Sequence, residues 1–421
     1  MSINVDDSDA KYMHNYVKEL GAFSRSPGSS GERKGAELTA EHMKKFSDDV
    51  KIEDFQLAPK AALGWIKLFV PLFFIALITF YLVPILSAIL MAFNLFIAVG
   101  EFVFYKKVID PFLPKKRSQN TYSIINPSQD TRQTIIFSGH VDSPFQFNFI
   151  KWWGGRIYAI LVFGAIVIFL LFGILSILNA ILITIDLFIP GYMIRYTTHV
   201  IFFIIWIIFW CLSPIGALFF LFTTWVETPG CGDNLSAVSV ALGVGNSLKK
   251  AKETGGFFPE HTKVIIMAFG SEESFLRGAM AYAKAHKDEL LGENAIVINM
   301  EVIVEPDNFY AITRDLNGTV GLSKKVVNDI IKVSKELGFN VRKLAAPLGA
   351  GSSDSAALAR EGIETTCIFG INIGKIIRGK GYFNNYHTVR DTPDKVDPKA
   401  LEQVLSICLH YLKTKDEEIS V

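Results

Sequence analysis

The stretch Val264-Ile265-Ile266-Met267-Ala268-Phe269-Gly270-Ser271-Glu272-Glu273-Ser274 runs straight from an unbroken apolar segment into two adjacent carboxylates. The apolar run reads as a buried strand, and a helix-like segment follows it from about Phe275. Like charges side by side are costly unless a cation or a shared proton offsets them. At a strand end the pair therefore suits one carboxylate on a metal with its neighbour acting as a base, and in isolation it suits a solvated loop equally well.

Outward from this strand the polar parts of the chain alternate between helix-like and strand-like segments. Helical patterns fall at 32–46, 235–252, 275–290, 322–337, 355–361 and 398–412, and short apolar runs at 134–137, 264–269, 295–300, 309–313 and 365–369. Such alternation predicts an α/β domain, a mixed and largely parallel sheet sandwiched by helices.

Two long apolar blocks interrupt it. Within 63–105 the only charged residues are Lys67 and Glu101, and a second block, 157–225, is broken by a polar patch at 186–199. Each is too long for one spanning helix of about 20 residues and suits two. The expected spans are 64–83, 85–104, 157–180 and 200–222, a pair of transmembrane hairpins. An even number of crossings per block is required if the polar segments 1–62, 106–156 and 226–421 are to pack as one catalytic domain on one side of a bilayer. Lys106, Lys107, Lys115, Lys116, Arg117, Lys151 and Arg156 flank the inner ends of these spans. The opposite side has only Arg195, so the positive-inside rule predicts an integral membrane protein with both termini and the polar domain in the cytoplasm.

Composition narrows the partners. The chain has 421 residues with 42 basic against 41 acidic side chains, so no basic field points to nucleic acid. Residues 1–9 are acidic and polar, unlike a cleaved signal peptide. The four cysteines, Cys211, Cys231, Cys367 and Cys408, show no paired framework, and free thiols in a reducing compartment are expected.

Other polar clusters share the strand-end position of Glu272 and Glu273. His140 and Asp142, two apart after the run 134–137, can share one side of an extended backbone, where the acid holds the imidazole's second nitrogen. Asp233 sits in the glycine-rich Gly230-Cys231-Gly232-Asp233-Asn234 at the start of a helix, where it can cap the helix or face a metal. Asn299-Met300-Glu301 ends another apolar run, and Tyr386-His387-Thr388 lies in a loop before Asp391 and Asp394. Strand ends are where open α/β sheets hold ligands. Two histidines with several carboxylates suit zinc or a similar divalent ion.

The ordered motifs His-x-Asp, Gly-Asp-Asn, Glu-Glu, Asn-x-Glu and Tyr-His-Thr, with Gly351-Ser352-Ser353-Asp354 and Asp391-Thr392-Pro393-Asp394, resemble the co-catalytic dizinc exopeptidases, among them aminopeptidases, glutamate carboxypeptidase and glutaminyl cyclase. The resemblance extends over the polar domain, including the turn Ser24-Arg25-Ser26-Pro27-Gly28, and leaves the membrane blocks outside. It implies two zinc ions bridged by Asp233, with His140 and Glu301 completing one site and Glu273 and His387 the other. It implies Glu272 as the general base toward a metal-activated water, Asp142 as orienter of His140, Tyr386 as a hydrogen-bond donor to the developing oxyanion, and Asp354 as a hydrogen-bonding support. Three features depart from the pattern: Glu301 where many relatives have Asp, Cys231 and Ala237 around Asp233, and the membrane block between His140 and Asp233.

The expected activity is a membrane-embedded zinc aminopeptidase acting on peptides, including hydrophobic or membrane-derived ones. Glutaminyl cyclase-like chemistry, a carboxypeptidase using Arg277, Arg314 or Arg390 for the substrate carboxylate, and a catalytically silent peptide-binding scaffold are the alternatives. Oligomeric state is not legible in the chain.

Overall fold

The computed structural model describes residues 3, 5–188 and 192–420, without the side chains of 192–195, so the Arg195 side chain and residues 189–191 of the second hairpin's turn lie outside what is described. The chain divides into two compact units, one formed by 1–59, 114–156 and 225–421, the other by 60–113 and 157–224. In chain order the helices are α1 (Asp7–Leu20), α2 (Ser30–Met43), α3 (Ala61–Leu82), α4 (Pro84–Ala98), α5 (Asn148–Phe188), α6 (Tyr192–Leu218), α7 (Ser236–Thr254), α8 (Arg277–Gly292), α9 (Lys324–Glu336), α10 (Asp354–Arg360), α11 (Ile373–Ile377) and α12 (Pro398–Ser420).

The first unit is built on a nine-stranded mixed sheet flanked by helices. Its strands are β1 (Asp49–Leu57), β2 (Lys116–Ile125), β3 (Gln133–His140), β4 (Thr262–Phe269), β5 (Ile296–Glu301), β6 (Phe309–Asp315), β7 (Val320–Gly321), β8 (Val341–Ala345) and β9 (Glu364–Phe369). They follow the order β1-β2-β4-β3-β5-β9-β6-β7, with β8 pairing β6. The centre, β4-β3-β5-β9, is parallel, whereas β1-β2, β2-β4, β9-β6 and β6-β7 are antiparallel. Every residue of β3, β4 and β5 is buried, which is why each carries an unbroken apolar stretch (135–137, 264–269 and 296–298) rather than an alternating pattern. Register pairs His140 with Phe269 and Ser138 with Asn299, so the carboxyl ends of β3, β4 and β5 share one edge.

Strands β1, β2, β7 and β8 and helix α1 carry no run that hydropathy would find. β2 is the instructive case: its buried residues include Ser118, Gln119, Asn120, Thr121 and Ser123, so a polar sequence forms an interior strand because the ladder satisfies its backbone.

The second unit holds α3, α4 and α6 and most of α5. The chain has four helices long and apolar enough to cross a membrane, judged by length and composition. Polar side chains on the other helices converge on backbone carbonyls of α3. Ser87 Oγ donates to Ala76 O (2.7 Å), Asn94 Nδ2 to Phe69 O (3.1 Å), Asn179 Nδ2 to Phe80 O (2.7 Å) and Trp206 Nε1 to Leu77 O (2.7 Å). Such bonds satisfy groups that hydrocarbon cannot.

Two helix boundaries differ from expectation. α5 starts at Asn148 rather than 157 and continues to Phe188, broken at Gly154 (φ 78°), and α6 starts at Tyr192 rather than 200. Apolar length measures the stretch suited to lipid, and the helical backbone continues beyond it into polar sequence.

Candidate metal centre

At the sheet edge, six side chains from five segments converge: His140, Asp233, Glu272, Glu273, Glu301 and His387. His140, the last residue of β3, is buried, and its Nε2 lies 3.2 Å from Asp233 Oδ1, 3.6 Å from Glu301 Oε2 and 3.7 Å from Glu272 Oε2. His387 Nε2 lies 2.9 Å from Asp233 Oδ2 and 3.3 Å from Glu273 Oε1. Asp233 thus offers one carboxylate oxygen to each imidazole.

Each ligand loop is held by a side chain from elsewhere in the chain. After β4 the backbone turns through left-handed conformations at Ser271, Phe275 and Leu276, and the Asp142 carboxylate accepts the N–H groups of Glu272 and Glu273, both at 3.0 Å. Asp142 was expected to orient His140. Its backbone oxygen is 3.2 Å and its Oδ1 3.4 Å from His140 Nδ1, so it faces the imidazole while also fixing the Glu272–Glu273 turn. Asp391 accepts from Gly232 N (2.8 Å) and Asp233 N (3.1 Å). The peptide between Asp233 and Asn234 is cis, and Asp233 stands ahead of α7, whose N-cap is Leu235, so the capping alternative does not hold. Asn234 Nδ2 donates to Glu301 Oε2 (2.5 Å) and Met300 O (2.9 Å), while its Oδ1 accepts from Val302 N (3.1 Å), which fixes Glu301.

Two expected roles look different in place. The Tyr386 ring stacks on His387 (4.1 Å between centroids) and on Phe383 (5.3 Å). Packing is therefore what its position explains, together with Phe147, whose ring lies 4.2 Å from His387 and whose N–H donates to His387 O (2.8 Å). Asp354, expected to support the site through hydrogen bonds, is buried, and neither carboxylate oxygen accepts one from the described residues. It is the first residue of α10, where its neighbour Ser353 instead donates from N (3.2 Å) and Oγ (2.6 Å) to Asp315. Asn234, Asp391 and Phe147 were not assigned roles from sequence. The Gly-Asp-Asn motif contains the first and Asp391-Thr392-Pro393-Asp394 the second, but nothing local marks Phe147.

The carboxylates of this centre crowd one another. Burial pushes Glu272, Glu273 and Asp354 well above the carboxylate range and Glu301 up to about 7, with neighbouring carboxylates adding to each shift. Burial works downward on His140, yet Glu301 and Glu272 hold its pKa well above the ordinary imidazole value. Burial works upward on Asp233, and hydrogen bonds from His140 and His387 outweigh it and keep the group ionised. A divalent cation resolves this crowding.

The donor set fits such an ion. One oxygen or nitrogen from each of His140, Asp233 and Glu301 lies within 4.8 Å of the others, as do those of Asp233, Glu273 and His387, and of His140, Glu272 and Glu273. Glu273 Oε1 is buried with no hydrogen-bond donor, as a ligand atom would be, and nitrogen with carboxylate oxygen suits zinc.

The centre is a buried cluster of carboxylates and imidazoles at the carboxyl edge of the sheet's parallel strands. Residues 221–412 match the family model described as Peptidase family M28, a segment that carries Asp233, Glu272, Glu273, Glu301 and His387 and begins after His140. The resemblance to the dizinc exopeptidases drawn from the motifs is borne out. Among solved structures, the chain is similar to a zinc aminopeptidase from Bacillus subtilis (TM-score 0.56, 14% identity, covering 99% of this chain and 96% of that one). It is also similar to a Zn-dependent exopeptidase from Parabacteroides distasonis (0.56, 12%, 97% and 99%) and to a glutaminyl cyclase from Bacteroides thetaiotaomicron (0.54, 13%, 97% and 99%). At these identities the likeness is one of fold. No curated protein matches the chain.

Proposed function

We propose that the protein is a membrane-embedded, zinc-dependent aminopeptidase. His140, Asp233 and Glu301 would hold one ion, and Asp233, Glu273 and His387 the other. The observation that carries this reading is the charge of the centre. Asp142, Asp233, Glu272, Glu273, Glu301 and Asp354 gather around two imidazoles, and the strongest cationic influence on Glu272, Glu273, Glu301 and Asp354 is His140. With two zinc ions bound, six carboxylates against two divalent cations still leave the centre with an excess of negative charge, which favours a substrate's free ammonium over a free carboxylate. The arginines that could serve a carboxypeptidase are engaged otherwise: Arg277 is buried in α8, Arg314 Nε donates to Gly318 O (2.8 Å), and Arg390 Nη2 donates to Lys151 O (3.1 Å).

Zinc at these ligands supplies Lewis acidity toward the scissile carbonyl and the attacking water. Glu272, whose Oε2 lies 3.7 Å from His140 Nε2 at the centre, would take the water's proton and return it to the departing amine. Asp142 holds Glu272 in place through the backbone, and Asp391 does the same for Asp233. Purified protein stripped with a chelator is expected to lose hydrolysis of an aminoacyl-amide reporter and to regain it with zinc, at close to two ions per chain. Full activity after complete stripping contradicts the reading, and one ion with ring closure of amino-terminal glutamine moves it to the cyclase branch.

The four apolar helices and the flanking lysines and arginines support a bilayer location with the polar unit in the cytoplasm. The protein is expected to sediment with membranes after alkaline carbonate washing, and its polar unit to be cut by protease only when the cytoplasmic face is accessible. Release by carbonate or cleavage from the opposite face contradicts this location.

A further inference from the structure

The amino-terminal turn around Arg25 makes contacts that the mechanism leaves unused. The Arg25 side chain is fully buried, yet among the described residues its guanidinium donates to backbone carbonyls rather than to a carboxylate. Its donors go to five backbone carbonyls: Nε to Val141 O (2.8 Å), Nη1 to Leu20 O (2.6 Å) and Phe23 O (2.7 Å), and Nη2 to Pro229 O (2.7 Å) and Gly230 O (3.1 Å). Val141 stands between His140 and Asp142, and Gly230 stands three residues ahead of Asp233. The backbone joins in, since Arg25 N donates to Ser143 Oγ (2.8 Å) and Ser143 N to Arg25 O (3.0 Å). On either side, Ser26 Oγ donates to Glu227 Oε1 (2.6 Å) and Ser24 Oγ to Glu227 Oε2.

These contacts join the segment that leads into residues 157–224 to the segment that leads out. His140 and Asp233 lie 93 positions apart in the chain, so the geometry between them depends on contacts rather than on a short connection. The two segments also meet directly, through Gln146 N to Val226 O (2.8 Å) and Thr228 Oγ1 to Pro144 O (2.8 Å). Those bonds fall at 144–146 and 226–228, whereas Arg25 reaches 141 and 229–230, nearer in the chain to His140 and Asp233.

We infer that Arg25 is a positioning residue: it sets the spacing between the His140 strand end and the Asp233 turn, and so the binding of the metal those two residues share. Arginine alone can do this, because five N–H groups in a rigid plane reach acceptors on several sides at once. Lysine has three donors on one atom and cannot bridge the same carbonyls. The inference rests on the reading of His140 and Asp233 as ligands.

The test compares wild type, Arg25→Lys and Arg25→Gly in the full chain by zinc titration, melting and amide hydrogen exchange of the metal-free protein. Arg25→Lys is expected to lower zinc affinity by about 10–100-fold, the usual cost of losing a residue that orients ligands. Exchange should rise together at 141–143 and 230–233 and little elsewhere. Guanidinium ion should recover part of the affinity of Arg25→Gly but none in Arg25→Lys. Leu401→Ala on α12, buried in the same unit, controls for stability and is expected to lower melting without loss of affinity. Wild-type zinc affinity in Arg25→Lys overturns the inference, as does an equal affinity loss in Leu401→Ala. Because exchange is read without metal, a wild type that binds no zinc defeats the proposed function while the exchange pattern still decides whether Arg25 joins the two segments.

Discussion

Glu272→Gln is expected to lower kcat by about 10²–10⁴-fold, the range of a lost general base, while metal content and melting temperature stay at wild-type values. The amide keeps the shape of the side chain, and the backbone N–H that anchors residue 272 to Asp142 is untouched. Glu272 makes only a loose approach to the imidazole, 3.7 Å from His140 Nε2. Glu273 is placed differently, 3.3 Å from His387 Nε2 with its Oε1 buried and lacking a donor. Glu273→Gln should therefore lose metal as well as rate. The two variants separate the neighbours by role: kinetics with metal-content analysis reads the difference, and metal loss in Glu272→Gln with metal retention in Glu273→Gln would reverse the assignment.

Asp233→Asn is expected to be the most damaging single substitution. Its two oxygens face His140 at 3.2 Å and His387 at 2.9 Å, and hydrogen bonds from both imidazoles keep the buried carboxylate ionised. An amide removes the charge and turns one acceptor into a donor, which then meets an imidazole nitrogen that it cannot satisfy. Breaking a buried charge arrangement costs about 3–5 kcal/mol, which corresponds to a loss in metal affinity of about 10²–10³-fold or more. Zinc titration should show both binding steps weakened, because the residue serves both halves of the centre. Weakening of one step alone would mean that Asp233 does not bridge.

What the chain discloses in advance follows from the range of the interactions concerned. The parallel centre of the sheet is visible because β3, β4 and β5 each carry a buried apolar run, 135–137, 264–269 and 296–298. Polar β2 and amphipathic α1 are hidden because their burial is decided by neighbours distant in the chain. The ligand set is visible because each donor sits at the end of such a strand or in a short polar motif. The residues that hold it are not, since Asp391 acts on an N–H 158 positions away and Arg25 on a carbonyl 116 positions away. Tyr386 and Asp354 show the converse. Each was given a role by its motif, and each is placed where packing or burial dominates.

The claim on which the rest depends is that this carboxylate-rich centre acts on a free amino terminus. One measurement tests it directly: mass-spectrometric product analysis of a single peptide offered to the zinc-loaded protein with each end in turn free or blocked. Release of the amino-terminal residue is predicted, abolished by amino-terminal acetylation and indifferent to carboxyl-terminal amidation. Release from the carboxyl end, or amino-terminal release that survives acetylation, would contradict the account.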